Sequence, residues 1–424
     1  MNVLYDISNL GYGHRDAKHR TGIARVIESL AYALVAVSDC NITFCAGEYN
    51  QEAEGYVRSS TQLSHIPFIS NGCKQWMLRT HDTLGQKLGT QAGVPSPALR
   101  ALKKALYFLD RTVGQTAFPM SATAMKEADI YHSTFQPLPQ QVKRSQLAKM
   151  LTIYDLIPIL YPQYYGNDTF LQDFLKQAVY SLSPQDYALC ISQATKNDFC
   201  SYTGHDPTRA FVTHLAADSA LFYPCTDQDA RCAVLQKYSL PDQPYLLSLS
   251  TLEPRKNIEH VIRCFVQLVK EQNIADLCLV LAGAKGWNYE RVFAELDAAQ
   301  DVKNRIIITG RVEDEDLAAL YSGAMAFTYM SHYEGFGLPP LEAMQCGVPV
   351  ITSNTSSLPE VVGDAGIMLD PNDDDGLCAA MLKLHQSEEL RQEMSKKSLA
   401  RAQQFSWERC GRETITAYKQ ALAR

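Results

Sequence analysis

Short apolar runs typical of strands alternate with helix-like runs along almost the whole chain of 424 residues. This alternation is typical of parallel α/β sheets, in which each strand is followed by a helix that crosses back over the sheet. The strands predicted from these runs are Val3–Ile7, Ile42–Ala46, Asp129–His132, Met150–Tyr154, Tyr187–Ile191, Ala210–His214, Tyr245–Leu249, Leu277–Ala282, Arg305–Thr309, Ala324–Thr328, Pro349–Thr352 and Gly366–Leu369. The pattern therefore predicts an α/β fold with helices between the strands.

The strands fall into two series, and the stretch Phe222–Gln243 between them mixes proline with polar residues. We predict a domain linker there, with one domain over residues 1–225 and a second over residues 240–405. A length of 424 residues agrees with two or three domains of roughly 150 residues each. Two open α/β sheets that face each other place the loops at the carboxyl ends of their strands on either side of one cleft, where ligands of such folds bind.

Composition excludes several classes of protein. A formal net charge of −7 argues against a dedicated nucleic-acid binder. The first residues lack the basic leader of a signal peptide, and no run approaches the roughly 20 apolar residues of a membrane span. The twelve cysteines include no Cys-x-x-Cys pair, so we expect buried, reduced thiols of a cytoplasmic protein rather than a zinc or disulfide framework.

The segment Ala98–Arg111 differs from its surroundings, because its leucines fall on one helical face and its basic residues elsewhere. One interpretation is an interfacial helix that makes a peripheral contact with the inner face of an anionic membrane. The other, which we favour, is a surface helix that packs its leucines on the first domain.

The segment from Glu334 to Glu342, with the sequence EGFGLPPLE, carries the most specific chemistry. It follows a predicted strand, contains a glycine-rich loop, and begins a helix whose first turn holds two prolines. The free N–H groups of such a helix start bind phosphate. Carboxylates repel phosphate and accept hydrogen bonds from hydroxyls. We therefore predict that Glu334 and Glu342 hold hydroxyls on either side of a phosphate, one set on a sugar and the other on a ribose.

A second phosphate-binding loop is predicted at Glu253-Pro-Arg-Lys-Asn257, directly after a strand of the same domain. Arg255 offers a fork of donors and Lys256 a mobile point charge, and both suit the phosphates of a ligand in the cleft. A basic pair that opens a helix is also common as a solvated turn. The second phosphate-binding loop in the same domain favours the functional interpretation.

Candidates in the first half are less specific. Gly22 begins a predicted helix and would let the backbone approach a ligand, with Arg25 in the first turn, although a plain helix start has the same pattern. Asp155 and His132 each close a strand, and either faces the cleft or serves the local structure, Asp155 by capping the following loop. Ser192 precedes a predicted helix, where N-capping is the interpretation we favour over a role in the cleft.

Taken together, Glu253-Pro-Arg-Lys-Asn257, Thr309-Gly-Arg-Val312 and the Glu334–Glu342 segment resemble the retaining GT-B glycosyltransferases of family 4. Cys346-Gly-Val-Pro-Val-Ile and Leu358-Pro-Glu-Val-Val-Gly-Asp-Ala-Gly extend the resemblance along the second half. The first half is more loosely similar to bacterial mannosyl- and rhamnosyltransferases of O-antigen synthesis. The resemblance implies two doubly wound Rossmann-like domains that face a cleft. Residues 1–225 would bind the acceptor and residues 240–405 the nucleotide-sugar donor, with a last helix over residues 406–424 that crosses back to the first domain.

The resemblance also assigns roles in the donor site. Arg255 and Lys256 would hold the donor diphosphate and stabilise the leaving group, while Glu334 holds the donor sugar. Glu342 would hold the ribose hydroxyls. The remaining donor-binding residues that the resemblance implies are Gly22 and Arg25 in the first domain, Arg311 and Val312 near the base, and the amides of Phe336, Gly337 and Leu338.

One position departs from the family pattern. Relatives often carry histidine where this chain has Tyr154, and a tyrosine cannot carry the same proton. We therefore count the neighbouring Asp155 among the catalytic candidates, with Glu334, Arg255 and Lys256.

The reaction that the resemblance implies is transfer of a hexose from a nucleotide diphosphate sugar to a glycan or lipid-linked acceptor. GDP-mannose is the preferred donor, and UDP- and dTDP-sugars stay open. No cofactor and no divalent metal are expected. Retention is commonly drawn as front-face attack, in which the departing phosphate takes the acceptor's proton, so catalysis is electrostatic and positional. The alternatives are a nucleotide-sugar epimerase of the same fold and a non-catalytic, nucleotide-sugar-binding subunit.

Overall fold

Thirteen parallel strands in two sheets form the framework of the computed structural model, which describes residues 1–15, 22–37, 39–69, 122–165 and 169–423. The strands are β1 (Asn2–Asp6), β2 (Asn41–Cys45), β3 (Phe68–Ile69), β4 (Ile130–Ser133), β5 (Ala148–Ile153), β6 (Tyr187–Cys190), β7 (Ala210–Val212), β8 (Tyr245–Leu249), β9 (Cys278–Ala282), β10 (Ile306–Gly310), β11 (Ala326–Tyr329), β12 (Val350–Ser353) and β13 (Ile367–Leu369). Each of the twelve predicted strands is present within two residues of its predicted ends. Only β3, a two-residue strand, was not predicted.

Helices connect the strands, as the sequence pattern predicts. The α-helices are α1 (Ser8–Arg15), α2 (Gly22–Val35), α3 (Asn50–Ser59), α4 (Ala122–Glu127), α5 (Gln140–Lys143), α6 (Ile157–Leu160), α7 (Phe170–Val179), α8 (Gln193–Thr203), α9 (Gln228–Lys237), α10 (Ile258–Glu271), α11 (Glu290–Ala298), α12 (Leu317–Gly323), α13 (Leu338–Gln345), α14 (Leu358–Val362), α15 (Asp374–Gln386), α16 (Glu388–Ala402) and α17 (Trp407–Leu422). Short 3₁₀ helices lie at Pro162–Tyr164, Pro207–Arg209, Pro254–Lys256, Gln300–Arg305, Asp314–Asp316 and Gly363–Ala365.

The strand order of each sheet fixes where a ligand can bind. The first sheet has the order β3-β2-β1-β4-β5-β6-β7 and the second β10-β9-β8-β11-β12-β13. In both sheets the order reverses at one point, between β1 and β4 and between β8 and β11. Ligands of open α/β sheets bind outside the carboxyl ends of the strands at such a point. The predicted doubly wound arrangement is therefore confirmed for both halves of the chain.

The last helix, α17, packs on the first domain although it follows the second in sequence. Gly411 lies against Ala33 of α2, where an added Cβ would come within 3.1 Å of the alanine side chain. Further along α17, the Tyr418 hydroxyl lies 2.6 Å from Nδ1 of His132, and the Tyr187 hydroxyl donates to the carbonyl of Ala421. The predicted return of the C-terminal helix is confirmed.

The stretch Phe222–Gln243, predicted as a linker, contains the helix α9. Asp227 caps it by accepting hydrogen bonds from the amides of Asp229 and Ala230. At the end of α9, Lys237 and Tyr238 both donate hydrogen bonds to Asp316 at 2.6 Å. These hydrogen bonds hold α9 against the second domain.

No helix among the described residues is long and apolar enough to cross a membrane. The predicted surface or interfacial helix at 98–111 and the cysteine Cys73 lie outside the described residues. The described cysteines are free thiols, and most of them are buried.

Candidate active site

The two phosphate-binding loops predicted from sequence meet at the reversal point of the second sheet. The 3₁₀ turn Pro254–Lys256 follows β8, and the loop that begins at Glu334 follows β11, its neighbour in the sheet. Because parallel strands end at the same edge, side chains 78 residues apart in sequence come into contact there. The structure therefore brings Arg255, Lys256 and Glu334 together.

These side chains form a buried ion cluster. One carboxylate oxygen of Glu334, Oε1, lies 2.6 Å from Nζ of Lys256, 2.9 Å from Nη1 of Arg255 and 2.9 Å from the Tyr329 hydroxyl. On its other side Arg255 donates from Nη2 to Glu253 at 2.7 Å. Arg255 and Glu334 are each 10% exposed at the side chain and Lys256 is 11% exposed, so solvent screens these charges little. Two cations face two carboxylates, and the cluster is electrically balanced.

Electrostatics keep Glu334 ionised in this cluster. Burial acts to raise the pKa of its carboxyl group, but the positive charges of Arg255 and Lys256 outweigh burial and lower the pKa to about 2. The nearby Glu253 has its pKa raised by burial, which its partner Arg255 opposes. A lasting negative charge on Glu334 therefore orients both cations at the edge of the sheet.

Two serines that follow β12 fix the glycine-rich loop. Ser356 accepts a hydrogen bond from the Glu334 amide at 2.9 Å, and Ser357 donates to the carbonyls of Glu334 and Phe336. Gly337 has φ of 119°, a conformation that favours glycine, and it directly precedes α13. This clamp holds the start of α13 beside the ion cluster, which agrees with the predicted anion site.

Gly335 is the point where this loop touches the first domain. A Cβ at this position would lie 2.4 Å from the Tyr154 carbonyl oxygen and 3.0 Å from the Asp155 Cβ. Thr195, on α8, donates toward the carbonyls of both Tyr154 and Gly335 at 3.1 Å. The contact between the domains therefore requires the absence of a side chain at Gly335.

Asp155 lies at this contact but also serves the local structure. Its Oδ1 accepts a hydrogen bond from the Ile157 amide at 3.0 Å, which is the loop-capping role that the sequence left open. Burial raises its pKa, and the charges of Arg255 and Lys256 partly oppose that effect. Asp155 contacts Gly335, and the charges of Arg255 and Lys256 affect its pKa. It therefore lies close enough to the ion cluster to stay a catalytic candidate.

Tyr154, which stands where relatives often have histidine, does not replace that side chain in the cleft. Its ring is 9% exposed and packs edge-on against Phe135, with the ring centroids 6.0 Å apart. Only its backbone carbonyl reaches the glycine-rich loop. The tyrosine therefore belongs to the core of the first domain.

A cavity of about 60 Å³ lies between the domains beside the second glutamate of the motif, Glu342. Three of the other predicted donor-binding residues line it as well, Gly22, Arg25 and Leu338. Ligand pockets usually enclose roughly 300–1,000 Å³. In this arrangement of the two domains the cavity is therefore smaller than a typical ligand pocket.

Arg25 has a protein partner in this position. Its Nη2 contacts both carboxylate oxygens of Asp314, at 2.8 and 2.9 Å, and this ion pair joins the two domains. Glu342 accepts a hydrogen bond from the Tyr321 hydroxyl at 3.0 Å. Burial raises the pKa of Glu342 to about 7, and the Tyr321 hydrogen bond and the charge of Arg25 only partly oppose that shift.

Further contacts hold the domains together on both sides of the site. Glu360 accepts hydrogen bonds from the amides of Gln193 and Ala194, at 2.9 and 3.1 Å, and lies 3.2 Å from Nε2 of His214. The Tyr333 hydroxyl donates to Asp198 at 2.6 Å. Aromatic rings of the two domains also pair as Tyr161 with Tyr333, Tyr164 with His332, and Tyr165 with Trp287.

The remaining predicted donor-binding residues lie near the site in different environments. The Arg311 side chain is exposed, whereas Val312 is 7% exposed and belongs to the hydrophobic core. Phe336 is buried, and its ring lies near those of His214 and Phe405. Of these residues, Phe336 can offer a ligand only its backbone.

Two candidates from the first domain have structural roles. His132 is fully buried, with its ring nitrogens 2.6 Å from the Tyr418 hydroxyl and 2.7 Å from the Thr152 hydroxyl, and burial lowers its pKa to about 3. Ser192 accepts a hydrogen bond from the Thr195 amide and caps α8, as the favoured interpretation predicted. Neither side chain faces the cleft.

Sequence reasoning missed several residues of the site, Tyr329 foremost. Tyr329 ends β11 and touches both Lys256 and Glu334. Its position at the carboxyl end of a predicted strand, five residues before Glu334, was the available signal. The roles of Asp314, Thr195 and Glu360 depend on contacts across long sequence separations, which no local pattern shows.

Comparison with known proteins identifies the family of this chain. Residues 234–401 match the family model described as glycosyl transferases group 1. The O-antigen chain mannosyltransferase B of Escherichia coli is 39% identical over 293 residues, which are 68% of this chain and 74% of that protein. The serotype-specific mannosyltransferase WbdA of Escherichia coli is 31% identical over 271 residues, but these are 63% of this chain and only 33% of WbdA.

A third relative and a solved structure complete the comparison. The GDP-mannose-dependent alpha-(1-6)-phosphatidylinositol monomannoside mannosyltransferase of Mycolicibacterium smegmatis is 30% identical over 207 residues, 46% of this chain and 52% of that protein. The sucrose-phosphate synthase of Thermosynechococcus elongatus superposes with a TM-score of 0.68 at 19% identity, over 100% of this chain and 99% of that one. The similarity to the sucrose-phosphate synthase structure confirms the two-domain GT-B fold.

Proposed function

Because this chain belongs to the group 1 family of glycosyl transferases and has the GT-B fold, we propose that it transfers mannose from GDP-mannose. The proposed acceptor is a glycan or lipid-linked glycan of surface polysaccharide synthesis, since the relatives include an O-antigen chain mannosyltransferase. The choice of GDP as the nucleotide is supported by the relative whose name specifies GDP-mannose. We propose that the reaction takes place in the cytoplasm.

The observation that carries this proposal is the ion cluster at the reversal point of the second sheet. Arg255 and Lys256 lie at the carboxyl ends of β8 and β11, beside the start of α13. Two cations and the backbone amides of the glycine-rich loop that leads into α13 suit a diphosphate, because both offer donors to negative oxygens. We propose that Glu342 accepts hydrogen bonds from the ribose and Glu334 from the transferred sugar.

The proposed catalysis is electrostatic. As the bond between the sugar and the β-phosphate breaks, negative charge grows on the departing phosphate, and Arg255 and Lys256 stabilise it. On the retaining route, the acceptor hydroxyl attacks from the same face of the sugar and its proton passes to the departing phosphate. The two cations supply the positive charge that a divalent metal provides in other enzymes, so we propose that the donor site works without one.

A transfer assay tests this function. Purified protein incubated with GDP-mannose and a mannose-terminated lipid-linked glycan should release GDP and extend the glycan by one or more mannoses in the α configuration. Donor alone should show only slow hydrolysis and no new nucleotide sugar. Conversion of the donor without an acceptor would instead indicate an epimerase, and binding without either reaction would indicate a non-catalytic subunit.

Nucleotide specificity gives a first quantitative prediction. We expect GDP to raise the thermal midpoint of unfolding more than UDP, dTDP or ADP, because GDP-mannose is the proposed donor. A ligand at 100 times its dissociation constant stabilises the folded state by about 2.7 kcal/mol. Differential scanning fluorimetry with the four nucleotides at equal concentration measures this. A larger shift with UDP or dTDP would contradict the GDP assignment and leave the glycosyltransferase assignment intact.

The pKa of Glu342 gives a second prediction. The ribose hydroxyls bind an ionised carboxylate better than a protonated one, and burial raises the pKa of this group to about 7 in the free protein. Below that pH a proton must leave before the ribose binds, so we expect GDP to bind more tightly as the pH rises toward 7, by at most about tenfold per pH unit. Isothermal titration calorimetry between about pH 5.5 and pH 8 measures the effect.

The Glu342→Gln variant should bind GDP more weakly at pH 8 and show little pH dependence. Glu388→Gln, which changes an exposed glutamate in the first turn of α16, is the matched control and should keep the normal profile. An unchanged slope in Glu342→Gln would show that another group titrates, and Glu342 would then not be the residue that holds the ribose.

A further inference from the structure

Two packed helices of the second domain bring four metal-ligating side chains together, outside the loops of the active site. His260 and Cys264 lie one turn apart on α10, and Asp374 and Cys378 lie one turn apart on α15. Residues four apart project from the same face of a helix. Because α10 packs against α15, the two pairs face each other.

The separations between these side chains suit a tetrahedral metal. Nδ1 of His260 lies 2.9 Å from Oδ1 of Asp374, and Sγ of Cys264 lies 3.8 Å from that oxygen and 4.0 Å from the same ring nitrogen. Zinc bonds of 2.0–2.3 Å in a tetrahedron place neighbouring ligand atoms about 3.3 to 3.8 Å apart. Three ligand atoms therefore already stand near the required spacing.

Cys378 completes the set from the second helix. Its thiol lies 3.4 Å from the carbonyl oxygen of Cys264, and the two thiols interact directly. Coordination by Cys378 requires this thiol to turn from the carbonyl toward the ligand atoms of His260, Cys264 and Asp374.

The surroundings favour a bound cation. His260 is 2% exposed and Cys264 is fully buried, whereas the Asp374 side chain is 62% exposed and gives a metal a route from solvent. The acidic residues Asp373 and Asp375 flank Asp374 and add negative charge.

We propose that His260, Cys264, Asp374 and Cys378 form a structural zinc site that clamps α10 to α15. With four protein ligands the site is closed, which is typical of structural rather than catalytic zinc. On binding, each thiol loses its proton to solvent and forms a bond to the metal through its sulfur, while the carboxylate and the neutral imidazole bind as they are.

The site is close enough to the active site to support it. Asn257, which follows Lys256 and precedes α10, donates to the carbonyl of Pro371 at 2.7 Å, in the segment that leads to α15. The starts of both helices are therefore already linked behind the cation-bearing turn. A metal between the helices would fix the start of α10 and with it the position of Arg255 and Lys256.

Cobalt substitution of the full-length protein tests the proposal. Protein stripped with a chelator and titrated with Co²⁺ should bind one equivalent and develop thiolate-to-cobalt absorption in the near ultraviolet, with visible bands of tetrahedral intensity. Elemental analysis after reloading with Zn²⁺ and dialysis should find one zinc per chain. Cys264→Ser should lower the zinc affinity by at least about 100-fold, since even outer-shell substitutions typically cost 10–100-fold.

Two further variants keep the test decisive. Asp374→Ala changes an exposed side chain at a helix start, so it should fold normally and still bind zinc more weakly than wild type. Cys232→Ser, on α9, removes a partly exposed thiol elsewhere and should bind zinc like wild type. The proposal is overturned if the wild type retains no zinc, if the cobalt-loaded protein shows no thiolate absorption, or if Cys264→Ser and Cys232→Ser retain equal amounts of zinc.

Discussion

Replacing Lys256 with methionine is expected to lower kcat by about 100- to 1,000-fold, the usual loss when one preorganised donor to a developing negative charge is removed. The methionine keeps most of the volume and the apolar stem of lysine but has no charge for the departing phosphate. KM for the donor should change less than kcat, because the interaction strengthens as the sugar–phosphate bond breaks. Steady-state release of GDP from GDP-mannose in the presence of acceptor measures both constants.

Loss of stability must be separated from loss of catalysis in this variant. Lys256→Met removes one positive charge and leaves Arg255 to pair with both Glu334 and Glu253. The net charge of the cluster therefore becomes negative. Breaking a buried ion pair costs about 3–5 kcal/mol, whereas removing both partners is often nearly neutral. The double variant Lys256→Met/Glu334→Gln should therefore recover the urea midpoint of wild type without recovering kcat.

Two outcomes would contradict the electrostatic role of Lys256. If the double variant regained both stability and kcat, the single substitution had acted only through folding. Lys270→Ala, which changes an exposed lysine at the end of α10, is the control and should keep the kcat of wild type. If Lys256→Met also kept that kcat, Lys256 would be no more than a structural partner of Glu334.

Replacing Gly335 with alanine is expected to lower kcat by about 100-fold or more, because displacing reacting groups by about 1 Å costs that much. The added Cβ would lie 2.4 Å from the Tyr154 carbonyl, so the domains cannot approach as closely as they do here. Most of the proposed nucleotide contacts belong to the second domain, so GDP affinity should change less than kcat. Transfer assays and calorimetry, run on the same preparation, measure the two effects.

Small-angle scattering gives an independent measurement of the same variant. The radius of gyration of Gly335→Ala with GDP bound should exceed that of the wild-type complex, since closure is blocked. Gly55→Ala is the matched control, because a Cβ there meets only the His14 ring, at 3.7 Å. Normal transfer by Gly335→Ala would show that this close contact between the domains is not part of the reactive state.

Local patterns predicted most of the fold. The strands were predicted because each is a short apolar run between turn-forming residues, and the start of α13 because Pro339 and Pro340 suit a first helical turn. The pattern did not predict β3, since a two-residue strand has no periodicity to detect. The helix α9 was missed because it shows no clear apolar face, although the capping carboxylate of Asp227 was a usable signal.

The candidate site was predicted less completely than the fold. Arg255, Lys256 and Glu334 stand out because each lies in a turn or loop that follows a strand, and Glu342 stands out because it lies in the helix that the glycine-rich loop begins. The partners of these residues could not be predicted, because a sequence does not show which distant side chains meet. Arg25 illustrates this limit, since its partner Asp314 lies 289 residues away and belongs to the other domain.

The return of α17 to the first domain has a consequence for the order of events during synthesis. The side chains of His132 and Tyr187, in the first sheet, contact Tyr418 and Ala421, which leave the ribosome after the whole second domain. Domains otherwise fold one after another from the N-terminus as the chain emerges. Here the earlier domain stays incomplete until α17 has been made, and the later domain can become native before it.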